Sequence, residues 1–98
     1  MLSIKSLGGD AAVCLTGRLD YHNTVGLLDS LKELAEVLHP LRLDLSDVGY
    51  VDVSGLSMLM SLDRHVRSRG SELLAVGASA AVRRATHLLF PMLNGLAS

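Results

Sequence analysis

Apolar and polar residues recur with two different periods along the chain, one typical of strands and one of helices. Near the N-terminus, Leu2 and Ile4 alternate with polar residues, and Ala11 to Leu15 forms a second apolar run. Gly8-Gly9-Asp10 between the two runs has the composition of a tight turn. The pattern therefore predicts a β-hairpin at the start of the chain.

The next segment has helical spacing. Its apolar stripe comprises Leu27, Leu28, Leu31, Leu34, Ala35 and Leu38. Asn23 and Thr24 precede the stripe, and either residue is a suitable N-cap. His39-Pro40 follows it and should end the helix, because the residue before a proline avoids the α region. We expect a first amphipathic helix between these signals.

A strand and a second helix are predicted in the middle of the chain. Leu41 to Ser46 alternates as a half-buried strand does, and Asp47-Val48-Gly49 is predicted to be a loop. The helix is expected from about Gly55 to Arg69, with Gly70 as its terminator. Its inward stripe is predicted to be Leu56, Leu59, Leu62 and Val66.

The last elements predicted are a strand and a third helix. Glu72 to Val76 has the strand pattern and Gly77 should end it, after which Ser79 is the expected cap of a helix that Phe90-Pro91 stops. The order β-β-α-β-α-β-α predicts an α/β fold in a single domain, residues 1–98. Strands that alternate with helices pair in parallel through right-handed crossovers, so we expect a mixed sheet of about four strands.

Composition excludes several classes of function. The 98 residues include nine basic and ten acidic residues, and only 3% are aromatic, so we expect no direct nucleic-acid binding. Cys14 is the single cysteine and lies in an apolar strand pattern, which predicts a buried thiol in a reducing compartment. No signal peptide is evident and no apolar stretch is long enough for a bilayer, so we expect a soluble cytoplasmic protein without a membrane partner.

Ser54 lies where the middle strand and loop lead into the second helix, and two interpretations of it stay open. The local pattern favours Ser54 as the N-cap of the helix, and its hydroxyl is also one that a kinase could phosphorylate. A hydrolase nucleophile would need Gly rather than Asp52 two residues earlier, and His65 is eleven positions away on the same helix. The histidines show no metal-ligand spacing, so we predict no enzyme, no catalytic residue, no metal and no cofactor.

Two segments carry a resemblance to a known family. Asp52-x-Ser54-Gly55-Leu56 resembles the phosphorylation motif of STAS domains, specifically of bacterial anti-sigma factor antagonists. Gly17-Arg18-Leu19-Asp20 resembles the other recurrent segment of that family, and the resemblance extends over roughly residues 11 to 89. The chain departs from the family pattern at Val53, where Ser or Thr is frequent, and at Ser57, where Gly is frequent.

The resemblance implies a fold and a function. The fold would be a STAS-type sheet with an N-terminal hairpin, then parallel β-α units, and a shortened C-terminal strand and helix. A homodimer or a compact tail would cover the apolar surface left by that shortening. The function would be that of an anti-sigma factor antagonist, whose unphosphorylated form binds a serine-kinase anti-sigma factor and releases a sigma factor.

The same resemblance assigns roles to individual residues. Phosphorylation of Ser54 would switch binding off by adding negative charge near Asp52 and Asp20, and a phosphatase would reset the protein. The partner-binding surface implied by the family comprises Asp20, Tyr21, His22, Asp52, Val53, Gly55, Leu56, Ser57 and Met58. Tyr21 is either an exposed anchor or a half-buried side chain that holds its loop.

Two other functions are compatible with this resemblance. Small STAS proteins also resemble regulatory subunits of lipid-transport ABC complexes, which need not be phosphorylated. A subunit of a larger sensory STAS assembly is the remaining alternative.

Overall fold

A computed structural model describes the backbone of residues 2–7 and 10–89 and the side chains of residues 11–85. The elements are β1 (Leu2–Leu7), β2 (Asp10–Leu19), α1 (Thr24–Ala35), β3 (Leu41–Val51), α2 (Val53–Ser68), β4 (Leu73–Ala78) and α3 (Ala80–Leu89). This order confirms the predicted α/β fold. The predicted turn at Gly8-Gly9 and everything predicted after residue 89 lie outside the described residues.

The described strands form one mixed sheet in the order β1-β2-β3-β4. Strands β1 and β2 pair antiparallel, as the predicted hairpin requires, with Ile4 opposite Val13. Strand β3 pairs in parallel with β2 on one side and with β4 on the other, so that Leu43 lies opposite both Val13 and Ala75. Parallel neighbours need crossover connections, and α1 and α2 supply them.

The core lies between the sheet and the helices. The buried leucines of β3 alternate with the half-buried Arg42 and Asp44, as the strand pattern predicts. The four predicted core positions of α2 are confirmed, each at most 1% exposed: Leu56, Leu59, Leu62 and Val66. Cys14 is buried as expected. No helix in the described part of the chain is long and apolar enough to cross a membrane.

Strand β3 is longer than predicted, and the predicted loop at Asp47-Val48-Gly49 is wrong. The strand continues to Val51, because the second half of β2 runs beside it and supplies backbone partners. The ladder there includes Gly17 opposite Val48, with two register irregularities between Cys14 and Arg18. Val48 is fully buried, so its side chain also favours the strand.

Several predicted boundaries change in the structure. Gly77 lies inside β4, which ends at Ala78, because the strand stays paired with β3 up to that point. Helix α1 ends at Ala35, before the predicted stop at His39-Pro40, because its last turn tightens through a bond from the Val37 N–H to the Leu34 carbonyl. Gly70 has φ +77° and ends α2 as predicted.

The cap of α3 is also as predicted. The Ser79 hydroxyl accepts a hydrogen bond from the Val82 N–H at 3.2 Å and donates one to the Val48 carbonyl at 2.5 Å. These bonds fix the start of α3 against β3. The N-terminus of α3 is therefore positioned by Val48, which lies in the segment of β3 that was predicted to be a loop.

Candidate partner-binding site

The start of α2 is capped by Asp52 rather than by Ser54. The Asp52 Oδ1 atom accepts a hydrogen bond from the Gly55 N–H at 3.0 Å, and Asp52 has the extended backbone of an N-cap residue. Ser54 is the second residue of the helix, so the interpretation of its hydroxyl as the N-cap is wrong. The Ser54 hydroxyl is therefore not needed to cap the helix.

Ser54 lines a groove of about 310 Å³ between α1 and α2. The lining residues are Thr24, Val25 and Leu28 from α1, and Val53, Ser54, Ser57, Met58 and Ser61 from α2. Ser54 is half-buried, whereas Ser57, one turn further on, is exposed. The groove therefore combines hydroxyl groups with apolar walls, and none of the described residues that line it is charged.

Two of the exposed residues that line the groove are valines. Val25 is 76% exposed and Val53 is 59% exposed, although both are large apolar residues. Exposed apolar side chains around a groove are typical of a surface that another molecule covers. The sequence analysis did not predict that Val25 and Leu28 of α1 contribute to this site. Val25 lies outside the apolar stripe of its helix, and this position could have indicated that its side chain is exposed.

The loop between β2 and α1 is built around the buried carboxylate of Asp20. Its Oδ2 accepts from the Arg18 Nε at 3.0 Å, and its Oδ1 accepts from the His22 N–H at 3.1 Å. The hydrogen bond from Arg18 is the largest cause that lowers the pKa of Asp20 below its ordinary value. Burial of the carboxylate opposes this shift, and the hydrogen bond from the His22 N–H adds a smaller lowering effect. The ionised carboxylate of Asp20 thus stabilises its own loop through these hydrogen bonds.

The side chain of Asn23 belongs to the same loop and does not cap α1. Its Oδ1 accepts from the Asp20 N–H at 3.2 Å, and its Nδ2 donates to the Arg18 carbonyl at 2.6 Å. Asn23 does occupy the N-cap position, but its side chain makes no capping bond there. The loop is closed by these two bonds.

This loop presents two rings side by side. The ring centroids of Tyr21 and His22 are 4.0 Å apart and their planes are inclined by 34°. Tyr21 is 68% exposed, which agrees with an exposed anchor rather than a half-buried side chain. Tyrosine is enriched at protein interfaces because it offers a large rigid surface with a polar tip.

Comparison with known proteins identifies the family of this chain. The family model described as "Mlab, STAS domain" matches residues 2–89. The chain belongs to the STAS domain family. The anti-sigma-B factor antagonist of Bacillus subtilis (strain 168) is 31% identical to this STAS chain over 72 residues, which are 74% of the chain. The matched region is 66% of that relative, so the chain spans just under two thirds of its length.

Solved structures show the same fold. An anti-sigma factor antagonist from Mycobacterium paratuberculosis superposes with a TM-score of 0.78 at 21% identity, over 96% of this chain and 80% of the other. The anti-sigma factor antagonist SpoIIAA, in its unphosphorylated form, superposes with a TM-score of 0.72 at 14% identity, over 99% of this chain and 83% of the other. These likenesses confirm the STAS-type sheet and helices.

The structure separates the predicted partner-binding residues of this STAS domain into two groups. The first group is exposed or half-buried at the surface and comprises Asp52, Val53, Ser57, Tyr21 and His22. Gly55 and Leu56 are buried, so they support the surface from below instead of offering side chains to a partner. Met58 is 3% exposed, but it forms part of the groove, and Asp20 is 6% exposed and acts through its loop.

Gly55 has a close neighbour within the protein itself. The lack of a side chain at Gly55 lets the backbone of Leu19 approach it closely. The start of α2 is thereby seated on the end of β2. This contact sets the position of the Ser54 hydroxyl relative to the Asp20 loop.

Proposed function

We propose that this STAS protein is a phosphorylation-controlled anti-sigma factor antagonist of the cytoplasm. Its unphosphorylated form binds a serine-kinase anti-sigma factor and thereby releases a sigma factor. The relatives named above support this assignment. The single observation that carries it is the half-buried Ser54 hydroxyl in an open groove, beside the exposed apolar side chains that an interface would cover.

Ser54 is the phosphate acceptor in this proposal. The kinase supplies ATP and the catalytic groups, and this chain supplies a hydroxyl in the first turn of α2. Asp52 caps that turn, so the hydroxyl of Ser54 has no capping role to lose when it is modified. A phosphatase removes the phosphate and restores binding.

Electrostatics and desolvation supply the switch. A phosphoserine carries a charge of about −1.5 to −2 at neutral pH, and on Ser54 it would enter a groove with uncharged walls, two residues from the carboxylate of Asp52. A partner that covers the groove would have to desolvate this charge without an opposite charge in the lining. About 1.4 kcal/mol of lost interaction free energy weakens binding tenfold, so no refolding is needed.

The proposal is tested by a pull-down from native cytosol in the presence of ADP, with bound proteins identified by mass spectrometry. The baits are the parent, Ser54→Asp, Ser54→Asn and Ser57→Asp. Asn matches Asp in size without its charge. Ser57→Asp places the same charge on another residue of the groove lining, so it should also weaken binding. A serine kinase retained by the parent and by Ser54→Asn, and lost from Ser54→Asp, supports the proposal. A parent that retains no serine kinase overturns it.

The apolar walls of the groove favour a second candidate function. A regulatory subunit of a lipid-transport ABC complex would use Val25 and Val53 for constitutive binding, which needs no phosphate chemistry. The same pull-down separates the two functions. An ABC ATPase retained equally by the parent and by Ser54→Asp supports the second candidate.

A further inference from the structure

Strands β2 and β3 continue as a pair beyond the four-stranded part of the sheet. A contact between the side chains of Arg18 and Tyr50 joins the two strands there. Arg18 and Tyr50 are register partners. The guanidinium carbon of Arg18 lies 4.1 Å from the centroid of the Tyr50 ring, which is the geometry of a cation–π contact. The Tyr50 ring therefore limits the positions that the Arg18 side chain occupies.

Arg18 is connected to the next loop at two points. Its Nε donates to the Asp20 Oδ2 at 3.0 Å, and its backbone carbonyl accepts from the Asn23 Nδ2 at 2.6 Å. Asp20 in turn accepts from the His22 N–H through its other carboxylate oxygen. A continuous chain of contacts thus leads from the Tyr50 ring to the backbone of His22.

We propose that Tyr50 and Arg18 are positioning residues that hold the Tyr21–His22 ring pair in its binding orientation. The proposal rests on the proposed function, because it names what prepares that surface for the anti-sigma partner. Tyr50 acts through Arg18 and Asp20. Arg18 supplies the link because its guanidinium presents a planar face to the ring and an N–H to the carboxylate at the same time.

A direct role for Tyr50 makes a different prediction. Tyr50 is 43% exposed, so it could also contact the partner itself. In that case its contribution to binding would be independent of Tyr21. A positioning role instead makes the contribution of Tyr50 depend on the presence of the Tyr21 ring, and a double-mutant cycle measures that dependence.

The first arm of the test needs no partner. Backbone amide exchange is measured for the parent, Tyr50→Leu and Tyr50→Phe, with the Arg83 N–H, which bonds to the Ser79 carbonyl, as an internal control. A cation–π contact at an exposed site corresponds to about a two- to five-fold change in an equilibrium. We expect the His22 N–H to exchange about two- to five-fold faster in Tyr50→Leu, and at the parent rate in Tyr50→Phe, with Arg83 unchanged in both.

The second arm measures affinity for the serine kinase captured by the pull-down. The variants are Tyr50→Leu, Tyr21→Ala and the double variant. We expect Tyr50→Leu to weaken binding about two- to five-fold in the parent background and to have no further effect in the Tyr21→Ala background. Arg18→Met should weaken binding at least as much as Tyr50→Leu, because it removes both the contact with the Tyr50 ring and the hydrogen bond to Asp20.

Each outcome decides a separate point. Unchanged His22 exchange in Tyr50→Leu, or additive effects of Tyr50→Leu and Tyr21→Ala on affinity, overturns the positioning role. If the parent binds no serine kinase, the proposed function fails while the exchange arm still decides whether Tyr50 orders the loop. Faster His22 exchange with restoration by Phe, together with a non-additive cycle, supports the inference.

Discussion

A Cβ atom added to Gly55 would lie 2.9 Å from the Cβ of Leu19 and 3.1 Å from its carbonyl carbon. The N-terminal turn of α2 is therefore packed directly against the backbone at the end of β2. The Asp52 N–H also donates to the Leu19 carbonyl at 3.1 Å, which joins the two elements at the same point. This contact brings the Ser54 turn and the Asp20 loop onto one surface.

Gly55→Ala should destabilise the protein. The added methyl meets backbone rather than the end of a flexible side chain, so α2 must shift, at a cost of about 1–3 kcal/mol in the free energy of unfolding. Urea unfolding measures this cost. Gly26→Ala in α1 is the matched control, because no atom of the described residues lies within 4 Å of its added Cβ. Alanine is also the better helix former, so this substitution should stabilise the protein by up to about 1 kcal/mol. Equal effects of the two substitutions would contradict the packing argument.

Asp52→Ala should cost about 0.5–2 kcal/mol of stability, because it removes the side-chain acceptor of the Gly55 N–H. Asp52→Asn keeps an amide oxygen that can cap the helix, so it should remain close to the parent in urea unfolding. The two variants separate the cap from the charge of Asp52. A loss in Asp52→Asn as large as that in Asp52→Ala would show that the carboxylate stabilises by its charge instead.

Acidification should remove the contribution of Asp20 to stability. Because the pKa of Asp20 is lower in the folded protein than its ordinary value of 3.8, folding is favoured by the ionised form, and this stability is present above that value. It is lost as the pH falls through the folded pKa. The stability difference between the parent and Asp20→Asn should therefore be larger at pH 7 than at pH 3 in urea unfolding.

Replacing Arg18 provides the control for this experiment, because its hydrogen bond is the main cause of the lowered pKa of Asp20. In Arg18→Gln the hydrogen bond from the guanidinium is absent, so the effect of Asp20→Asn should depend less on pH in that background. A pH dependence that is unchanged by Arg18→Gln would contradict the role assigned to this pair.

Val25→Asp should weaken partner binding, because it places a charge on an apolar wall of the groove. Val37→Asp is a close control. Val37 is 73% exposed, compared with 76% for Val25, but it lies beyond the end of α1 and does not line the groove. We expect at least a tenfold loss of affinity for the captured kinase in Val25→Asp and parent affinity in Val37→Asp. Equal affinities of the two variants would exclude the groove from the interface.

The order of the strands and helices was predictable because buried apolar residues recur with the period of the element that contains them. The leucines of β3 alternate, and those of α2 recur at helical spacing, and both sets are buried. The second half of β3 was not predictable in the same way. Its residues Asp47 and Gly49 are typical of loops, and only the neighbouring end of β2 makes them a strand.

The candidate site shows a similar division. The Ser54 motif and the Asp20 segment could be found from the sequence, since each is local. The sequence suggested Ser54 as the cap of α2, and only the backbone shows that Asp52 occupies the N-cap position instead. The groove wall formed by Val25 depends on how α1 is rotated against α2, and packing between helices sets that rotation.

The most direct test of the account is the dissociation constant of the captured serine kinase, in ADP, for the parent, Ser54→Asn and Ser54→Asp. If the charge at position 54 controls binding, Ser54→Asn binds within about twofold of the parent and Ser54→Asp binds at least about tenfold more weakly, a difference of about 1.4 kcal/mol. Circular dichroism should show the same fold for all three. Parent-like affinity of Ser54→Asp, or an equal loss in Ser54→Asn, would contradict the charge switch at Ser54.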